Sequence, residues 1–354
     1  MDLSQKVILC KDFEKDVARS LAQIPHDRLF LLADEHTSRL CLPRLKAMPE
    51  LSEAETVVIG AEDVHKNLET LAAVWQALSR KGASRRSLLI NVGGGMVTDL
   101  GGFAAATFKR GITYINIPTT LLAMVDASVG GKTGINFNGL KNEIGAFAPA
   151  AFVLLETAFL QTLDGRNFFS GYAEMLKHGL ISTVAHWIEL LALDTRQVDY
   201  GHLKTLVGRS VQVKEDIVAQ DPQEHGIRKA LNLGHTVGHA FESLALQENR
   251  PVLHGYAVAW GLVCELYLSF RLAGFPKDKL RQTVQFIKEN YGVFAFDCHQ
   301  YETLYELMKH DKKNAGGIIN FTLLKDVGDI SLNQTADKDL IFETFDFYRE
   351  CMGI

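Results

Sequence analysis

The chain has 354 residues, 47% hydrophobic and 22% charged, which is an ordinary globular composition with enough length for two domains. Its net charge of -5 argues against a general affinity for nucleic acid. Five scattered cysteines without a CxxC pair favour reduced thiols. No apolar run reaches the roughly 18 residues of a membrane span, and the first residues lack a signal-peptide pattern. We therefore expect a cytoplasmic protein with no nucleic-acid and no membrane partner.

The first part of the chain alternates short apolar runs with helical patterns. Apolar runs that predict buried strands lie at 28–34, 56–60, 87–92 and 113–117, and residues 67–79 have helical spacing. Continuous apolar strands separated by helices are typical of a parallel sheet with helices on both faces.

Long helical patterns dominate the chain from about residue 155 onward. They lie at 171–181, 185–193, 202–219, 230–245, 255–273 and 278–291, and one late strand is predicted at 318–324. The sequence thus predicts an α/β domain over 1–155 and a mainly α-helical domain over 156–354.

Three consecutive glycines, Gly93, Gly94 and Gly95, follow a predicted strand and open a helix that contains Asp99. Glycines there let the backbone approach a phosphate, whose charge the helix N-terminus favours. The GxGxxG dinucleotide fingerprint is absent. A tight turn without a ligand is the alternative, but we favour phosphate binding.

A second glycine-rich block begins at Thr119 and Thr120 and ends in Gly-Lys-Thr at Lys132. It is not a P-loop, because the first glycine of GxxxxGK[ST] would fall on Asp126. The cation, the carboxylate and the hydroxyls, followed by Lys141 and Asn142, suit an anionic, polyhydroxylated ligand. An ordinary surface loop is the alternative interpretation.

The predicted helix over 230–245 carries two histidines, His235 and His239, that stand four residues apart. Side chains four apart share one helical face, so the pair is able to present two imidazoles to one metal ion. Glu174, three residues before Lys177, and His254 lie on two other predicted helices. Glu174 and Lys177 form either an exposed ion pair or a buried site. One carboxylate and two imidazoles would make an open zinc site, but spacing alone does not choose between His239 and His254 as the partner of His235.

Taken together, these motifs resemble the 3-dehydroquinate synthase family. The set comprises G-G-G-x-x-x-D, P-T-T-L-L, D-x-S-V-G-G-K-T, A-E-x-x-K, L-N-x-G-H-T-x-G-H-A, L-H-G and D-K-K. The resemblance implies a Rossmann-like NAD-binding domain over 1–155, a mainly α-helical domain over 156–354 that binds metal and substrate, and a homodimer. It also implies two cofactors, NAD and Zn²⁺ (or Co²⁺).

The resemblance also implies a role for individual residues. The metal ligands would be Glu174, His235 and His254, so His239 would act on the substrate side. Residues expected to hold NAD are Asp34, Asp63, Lys66, Gly93, Gly94, Gly95, Asp99, Thr119, Thr120, Asp126, Lys132 and Lys141. Residues expected around a sugar phosphate substrate are Lys132, Asn142, Lys177, Lys214, Arg228, Asn232, His239 and Lys312, with Arg110 reaching the neighbouring subunit's site.

The implied reaction converts 3-deoxy-D-arabino-heptulosonate 7-phosphate to 3-dehydroquinate and phosphate in the shikimate pathway of aromatic amino acid and chorismate biosynthesis. NAD-dependent oxidation, phosphate elimination, re-reduction and internal aldol closure would follow one another, which makes the enzyme a lyase. Another sugar-phosphate cyclase and a metal-dependent polyol dehydrogenase are the enzymatic alternatives, and a binding protein without catalysis is the third. The chain departs from the family pattern at His36, Phe137, Asn138 and Tyr256.

Overall fold

The computed structural model describes residues 5–138, 140–309 and 318–354. Contacts group these residues into two compact units, divided between Asp164 and Gly165. The predicted Lys312 and the basic turn at 311–314 lie outside the described residues. The assignment of functions to domains over 1–155 and 156–354 stays a prediction.

The first unit contains a six-stranded sheet and a separate two-stranded hairpin. The sheet strands are β1 (Lys6–Leu9), β2 (Leu29–Asp34), β3 (Glu55–Ile59), β4 (Leu88–Gly93), β5 (Thr113–Pro118) and β8 (Phe152–Leu155), while β6 (Lys132–Phe137) and β7 (Leu140–Phe147) form the hairpin. The order in the sheet is β1-β8-β5-β4-β2-β3, and each of these neighbouring strand pairs is parallel. The helices of this unit are α1 (Phe13–Ala22), α2 (Glu35–Leu40), α3 (Leu42–Lys46), α4 (Leu68–Arg80) and α5 (Gly95–Thr107).

The inner strands of this sheet are largely buried, including five of the six residues of β2 and of β5, as is typical of a parallel sheet. All of β4 and β8 is buried. A Cβ on Gly101 of α5 would collide with Asn91 of β4, so glycine permits the close packing of this helix on the sheet. The predicted Rossmann-like parallel sheet is confirmed, although β1 and β8 were not predicted.

The block from Thr119 to Lys132 is not the loop that the sequence suggested. Pro118 ends β5, a π-helix covers Ala123–Ala127, and Lys132 begins the hairpin strand β6. Its two glycines, Gly130 and Gly131, have positive φ of 95° and 70° and form the turn that leads into the hairpin.

The second unit is largely helical, as predicted, with one two-stranded antiparallel sheet. A cluster of aromatic side chains that includes Phe241, Phe294, Phe296, Phe345 and Tyr348 fills part of its core. The elements are α6 (Gly165–Ser182), α7 (Val184–Leu191), α8 (Tyr200–Gln220), α9 (His235–Gln247), α10 (His254–Leu268), α11 (Lys277–Tyr291), α12 (Tyr301–Lys309), β9 (Phe321–Asp326), β10 (Asp329–Gln334) and α13 (Lys338–Met352).

The single helix predicted over 230–245 is wrong at its N-terminal end. Residues Ile227–Asn232 form a separate 3-10 turn, and Gly234 has a left-handed backbone with φ 81° immediately before α9 begins at His235. Asn232 therefore does not lie one helical turn before His235. A positive φ is readily adopted only by glycine, which explains the break.

Two glycines of α10 allow it to pack closely against α9 and α6. A Cβ on Gly261 would collide with the carbonyl oxygen of Gly234 at the start of α9, and one on Gly255 would collide with that of Ser170 in α6. These contacts hold the first turns of α9 and α10 beside the middle of α6. The three ligand-bearing segments are thereby brought together.

Among the described residues, one helical segment is long and apolar enough to cross a membrane, His254–Ala273, comprising α10 and the π-turn that follows it. In this structure 67% of its most apolar window is buried. A core helix passes the same test of length and composition.

Candidate active site

Glu174, His235 and His254 form the centre of the helical unit. The Oε1 atom of Glu174 on α6 lies 3.4 Å from Nε2 of His235 and 3.4 Å from Nε2 of His254. Each histidine is the first residue of its helix, and the candidate ligand atoms all lie within 4.8 Å of one another. The structure thus brings together the three residues predicted as metal ligands.

The donor set of this centre fits a divalent metal ion. Glu174 is fully buried, and its Oε1 atom has no hydrogen-bond partner among the described residues. Burial alone would raise the pKa of Glu174, but the charges of Lys177 and His235 hold it well below its usual range. A buried carboxylate oxygen facing two imidazole nitrogens is suited to zinc or another borderline ion.

Glu242 lies on the far side of the His254 ring. Its Oε2 atom is 3.4 Å from Nδ1 of His254. Partial burial would lower the pKa of His254, but Glu174 and Glu242 together raise it to about 10. A metal ion would have to displace that proton, so the apparent metal affinity should increase with pH.

His239 is adjacent to the centre but one turn further along α9. Its ring centroid is 5.4 Å from that of His235 and 5.9 Å from that of His254. His239, Glu242 and His254 also bring ligand atoms within 4.8 Å of one another. The geometry therefore favours Glu174, His235 and His254 as the three ligands, because the buried oxygen of Glu174 faces both histidines. His239 lies beside them.

A residue that the sequence analysis missed, Glu265 of α10, fixes the start of α9. Its carboxylate is fully buried and accepts the backbone N–H groups of Gly234, at 2.6 Å, and Val237, at 3.0 Å. The N-cap residue of α9 is Gly234, which has no side chain to cap the helix. The nearest sequence signal was an acidic residue inside an otherwise apolar helix, which is costly unless the charge is satisfied.

The substrate-side cations of this unit that the structure describes are buried. Lys177 contacts Glu174 on α6, Lys214 of α8 is 6% exposed, and Arg228 is 2% exposed and donates to the carbonyl of Pro222 at 2.6 Å. The Asn232 amide donates to Glu224 at 2.9 Å. Buried cations of this number create a positive environment suited to an anionic ligand.

The first unit contains the predicted phosphate-binding turn. Gly93 ends β4, Gly94 precedes α5, and no side chain caps this helix. A Cβ on Gly94 would lie 3.0 Å from Thr120, and one on Gly95 would lie 3.2 Å from Ala127. The uncapped N–H groups and the narrow glycine-lined surface fit the diphosphate of a dinucleotide.

Several other predicted NAD residues contact one another beside this turn. The buried ammonium of Lys66 donates to Asp99 of α5 at 2.6 Å and contacts the Asn142 side chain. Lys141 Nζ lies 3.5 Å from the carboxylate of Asp63. The structure thus places Asn142, predicted near the substrate, in direct contact with a predicted cofactor residue.

The remaining predicted residues of the first unit are more dispersed. Asp34 caps α2 by accepting from Thr37 N at 2.7 Å, which is a structural role independent of a ligand. Thr119 is buried and donates its N–H to Gly93, whereas Asp126 lies in the π-helix and the exposed Lys132 begins β6.

Arg110 lies just before the N-terminal end of β5, whereas the glycine turn follows the C-terminal end of β4. It is exposed with φ 69° and lines a pocket of about 580 Å³ together with Ser84, Arg85, Arg86 and Lys109. Lys109 also has a positive φ, and its carbonyl accepts from Arg85 Nε at 3.0 Å. The turn presents a strongly basic surface.

The first unit has a Rossmann-like sheet with a glycine turn, and the second is helical with a Glu–His–His centre. This combination is typical of enzymes that pair a nucleotide-binding domain with a metal site. Sequence models of the 3-dehydroquinate synthase N-terminal and C-terminal regions match residues 56–170 and 171–314. The chain belongs to the 3-dehydroquinate synthase family.

Individual relatives agree with this assignment. A 3-dehydroquinate synthase of Parabacteroides distasonis is 57% identical over 350 residues, which cover 99% of each chain. The structure of a 2-epi-5-epi-valiolone synthase from Streptomyces hygroscopicus, with NAD⁺ and Zn²⁺ bound, superposes with a TM-score of 0.88 at 25% identity, covering 99% of this chain and 98% of that one. A 2-deoxy-scyllo-inosose synthase complexed with NAD⁺ and Co²⁺ gives 0.83 at 23% identity, covering 98% and 96%, and shows the fold alone.

Proposed function

We propose that the chain converts 3-deoxy-D-arabino-heptulosonate 7-phosphate to 3-dehydroquinate and phosphate, as a lyase that depends on NAD and a divalent metal ion. The observation that carries this proposal is the 57% identity, over 99% of both chains, to a relative with that name. The helical unit supports it, because its buried cations suit a substrate that carries both a carboxylate and a phosphate.

NAD, the metal ion and the residues of the helical unit would have distinct roles in the reaction. Bound NAD supplies a hydride acceptor and donor, and a bound Zn²⁺ or Co²⁺ ion supplies Lewis-acid polarisation of a substrate oxygen. Glu174, His235 and His254 would hold the ion. Lys214, Arg228 and Asn232 orient the anionic substrate, while His239 exchanges protons on the substrate side of the centre.

In the first unit, the glycine turn at 93–95 would hold the cofactor's phosphates. Asp34, Asp63, Lys66, Asp99, Thr119, Thr120, Asp126, Lys132 and Lys141 would bind the rest of NAD, with Asn142 and Lys132 also on the substrate side. The exposed Arg110 would complete the site of a second copy in a homodimer. We further propose that the protein works in the cytoplasm, in the shikimate pathway.

A phosphate-release assay on the full chain, loaded with NAD and Zn²⁺, tests the proposed activity. We expect stoichiometric phosphate from the heptulosonate phosphate without net NADH accumulation, because the hydride returns to the substrate. A heptulose 7-phosphate that lacks the carboxylate is the matched control, and its turnover should be far lower. Preference for that control would indicate another sugar-phosphate cyclase, and net NADH formation would indicate a dehydrogenase.

A further inference from the structure

Among the side chains that link the hairpin of β6 and β7 to the segment Asp63–Lys66, Asn136 makes contacts on both sides of the junction. Its amide Nδ2 donates to the Asp63 carboxylate at 3.1 Å, and its Oδ1 accepts the backbone N–H of Asn142 at 3.0 Å. Its own backbone N–H donates to the carbonyl of Lys66 at 2.7 Å. One residue thus contacts the 3-10 turn, the residue after it and the second hairpin strand.

The segments that Asn136 joins carry residues expected to bind ligands. Lys66 donates from its buried ammonium to Asp99 and contacts Asn142, while Lys141 lies near Asp63. These charged and amide groups come from α5, the 3-10 turn and the hairpin. Their mutual geometry depends on how the hairpin is docked, because β7 is itself almost entirely exposed.

We propose that Asn136 is a positioning residue that docks the hairpin on the Asp63–Lys66 segment and so fixes Lys66 and Lys141 in the arrangement that binds NAD, with Asn142 held beside Lys66. The proposal rests on the proposed function for the identity of the ligand. An amide is suited to this task because it donates to a carboxylate while accepting a backbone N–H. Aspartate would keep the acceptor but bring a second carboxylate beside Asp63.

The test compares Asn136→Ala and Asn136→Asp with Asn67→Ala in the full, metal-loaded chain. Asn67 is a matched control because it follows Lys66 and also makes two local hydrogen bonds, to Val64 O and from Thr70 N, within its own segment. Three quantities are measured for each variant: the NAD dissociation constant by calorimetry, amide hydrogen exchange of residues 132–147, and the thermal midpoint.

We expect Asn136→Ala to raise the NAD dissociation constant roughly tenfold, as the loss of about one net hydrogen bond would, and to speed exchange at the Asn142 amide. Its thermal midpoint should stay close to that of the wild type. Asn136→Asp should weaken NAD binding at least as much. Asn67→Ala should lower the thermal midpoint, through loss of a helix cap, with little change in NAD affinity.

Unchanged NAD affinity in Asn136→Asp, unchanged exchange of the hairpin in Asn136→Ala, or a lower kcat with an unchanged dissociation constant would each overturn the proposal. A wild-type chain that binds NAD but releases no phosphate would contradict the proposed activity and leave this comparison intact. A wild-type chain that binds no NAD would overturn the cofactor role, and hydrogen exchange would still decide whether Asn136 docks the hairpin.

Discussion

The Oε2 atom of Glu242 lies 3.4 Å from Nδ1 of His254, while Nε2 of the same ring faces Glu174. A carboxylate behind a histidine ligand fixes its tautomer and ring orientation, and loss of such a partner commonly weakens metal binding by about 10–100-fold. The arrangement gives Glu242 a function that its position in the sequence did not indicate.

Glu242→Ala should therefore weaken Zn²⁺ binding by about 10–100-fold, and Glu242→Gln should weaken it less because the amide oxygen can still accept from Nδ1. Competition with a chromogenic chelator measures this affinity directly. Glu248→Gln, at the end of the same helix, is the control and should bind Zn²⁺ like the wild type. Equal affinity in the Glu242→Ala variant would show that His254 needs no orienting partner.

Replacement of the buried Glu265 by alanine should reduce the free energy of unfolding by about 2–4 kcal/mol. The change leaves the N–H groups of Gly234 and Val237 at the start of α9 without their carboxylate acceptor, and each such loss is expensive in the protein interior. Urea denaturation measures the effect. Glu350→Ala, at an exposed position of α13, should change stability by less than about 0.5 kcal/mol, and a comparable loss in both variants would contradict the capping role.

Arg110 offers a test of the homodimer. If it acts in the neighbouring subunit's site, Arg110→Ala and His239→Ala proteins are each inactive but complementary, because a mixed dimer contains one site with both wild-type residues. Random exchange of subunits in an equal mixture should restore about a quarter of wild-type phosphate release. The two unmixed variants are the controls, and no recovery in a mixture that has exchanged subunits would place Arg110 outside the neighbouring site.

His186 should make stability depend on pH. Burial and the nearby Arg209 lower the pKa of His186 from 6.5 to about 4, and its Nε2 lies 3.1 Å from Ser210 Oγ. Between pH 6.5 and 4 the unfolded chain binds the proton more readily, so stability decreases as the pH falls through this window, by at most about 1.4 kcal/mol per pH unit from this group.

Urea denaturation of His186→Gln at several pH values measures this contribution. The variant should show a shallower loss of stability between pH 6.5 and 4 than the wild type. His202→Gln, an exposed histidine on α8, should retain the wild-type slope. Coincident slopes for the wild type and His186→Gln would show that the imidazole does not titrate differently in the folded chain.

The strands that the sequence predicted are those that a local run of apolar residues marks, while β8 was missed although all of it is buried. The apolar runs at 28–34, 56–60, 87–92 and 113–117 correspond to β2, β3, β4 and β5 with small shifts at their ends. The edge strand β1 was missed because its residues are only partly buried and its register with β8 is set by distant residues. Such pairing leaves little trace in a local pattern.

The candidate site was predictable in its ligand types but not in its geometry. Spacing left His239 and His254 open as the partner of His235, whereas in the structure the carboxylate oxygen of Glu174 faces His235 and His254. His254 lies beside His235 because α9 and α10 pack closely at glycines. The spacing of residues along the sequence does not predict that packing. Asn136 and Glu265 escaped notice for the same reason, since their partners are remote in sequence.

We propose that His235 and His254 bind the metal with Glu174, while His239 acts on the substrate. The metal content of purified His254→Ala and His239→Ala proteins, measured side by side by mass spectrometry after identical dialysis, tests this division of roles. We expect His254→Ala to lose its zinc, while His239→Ala retains the wild-type amount and yet releases no phosphate. Zinc retained by His254→Ala and lost by His239→Ala would overturn the ligand assignment.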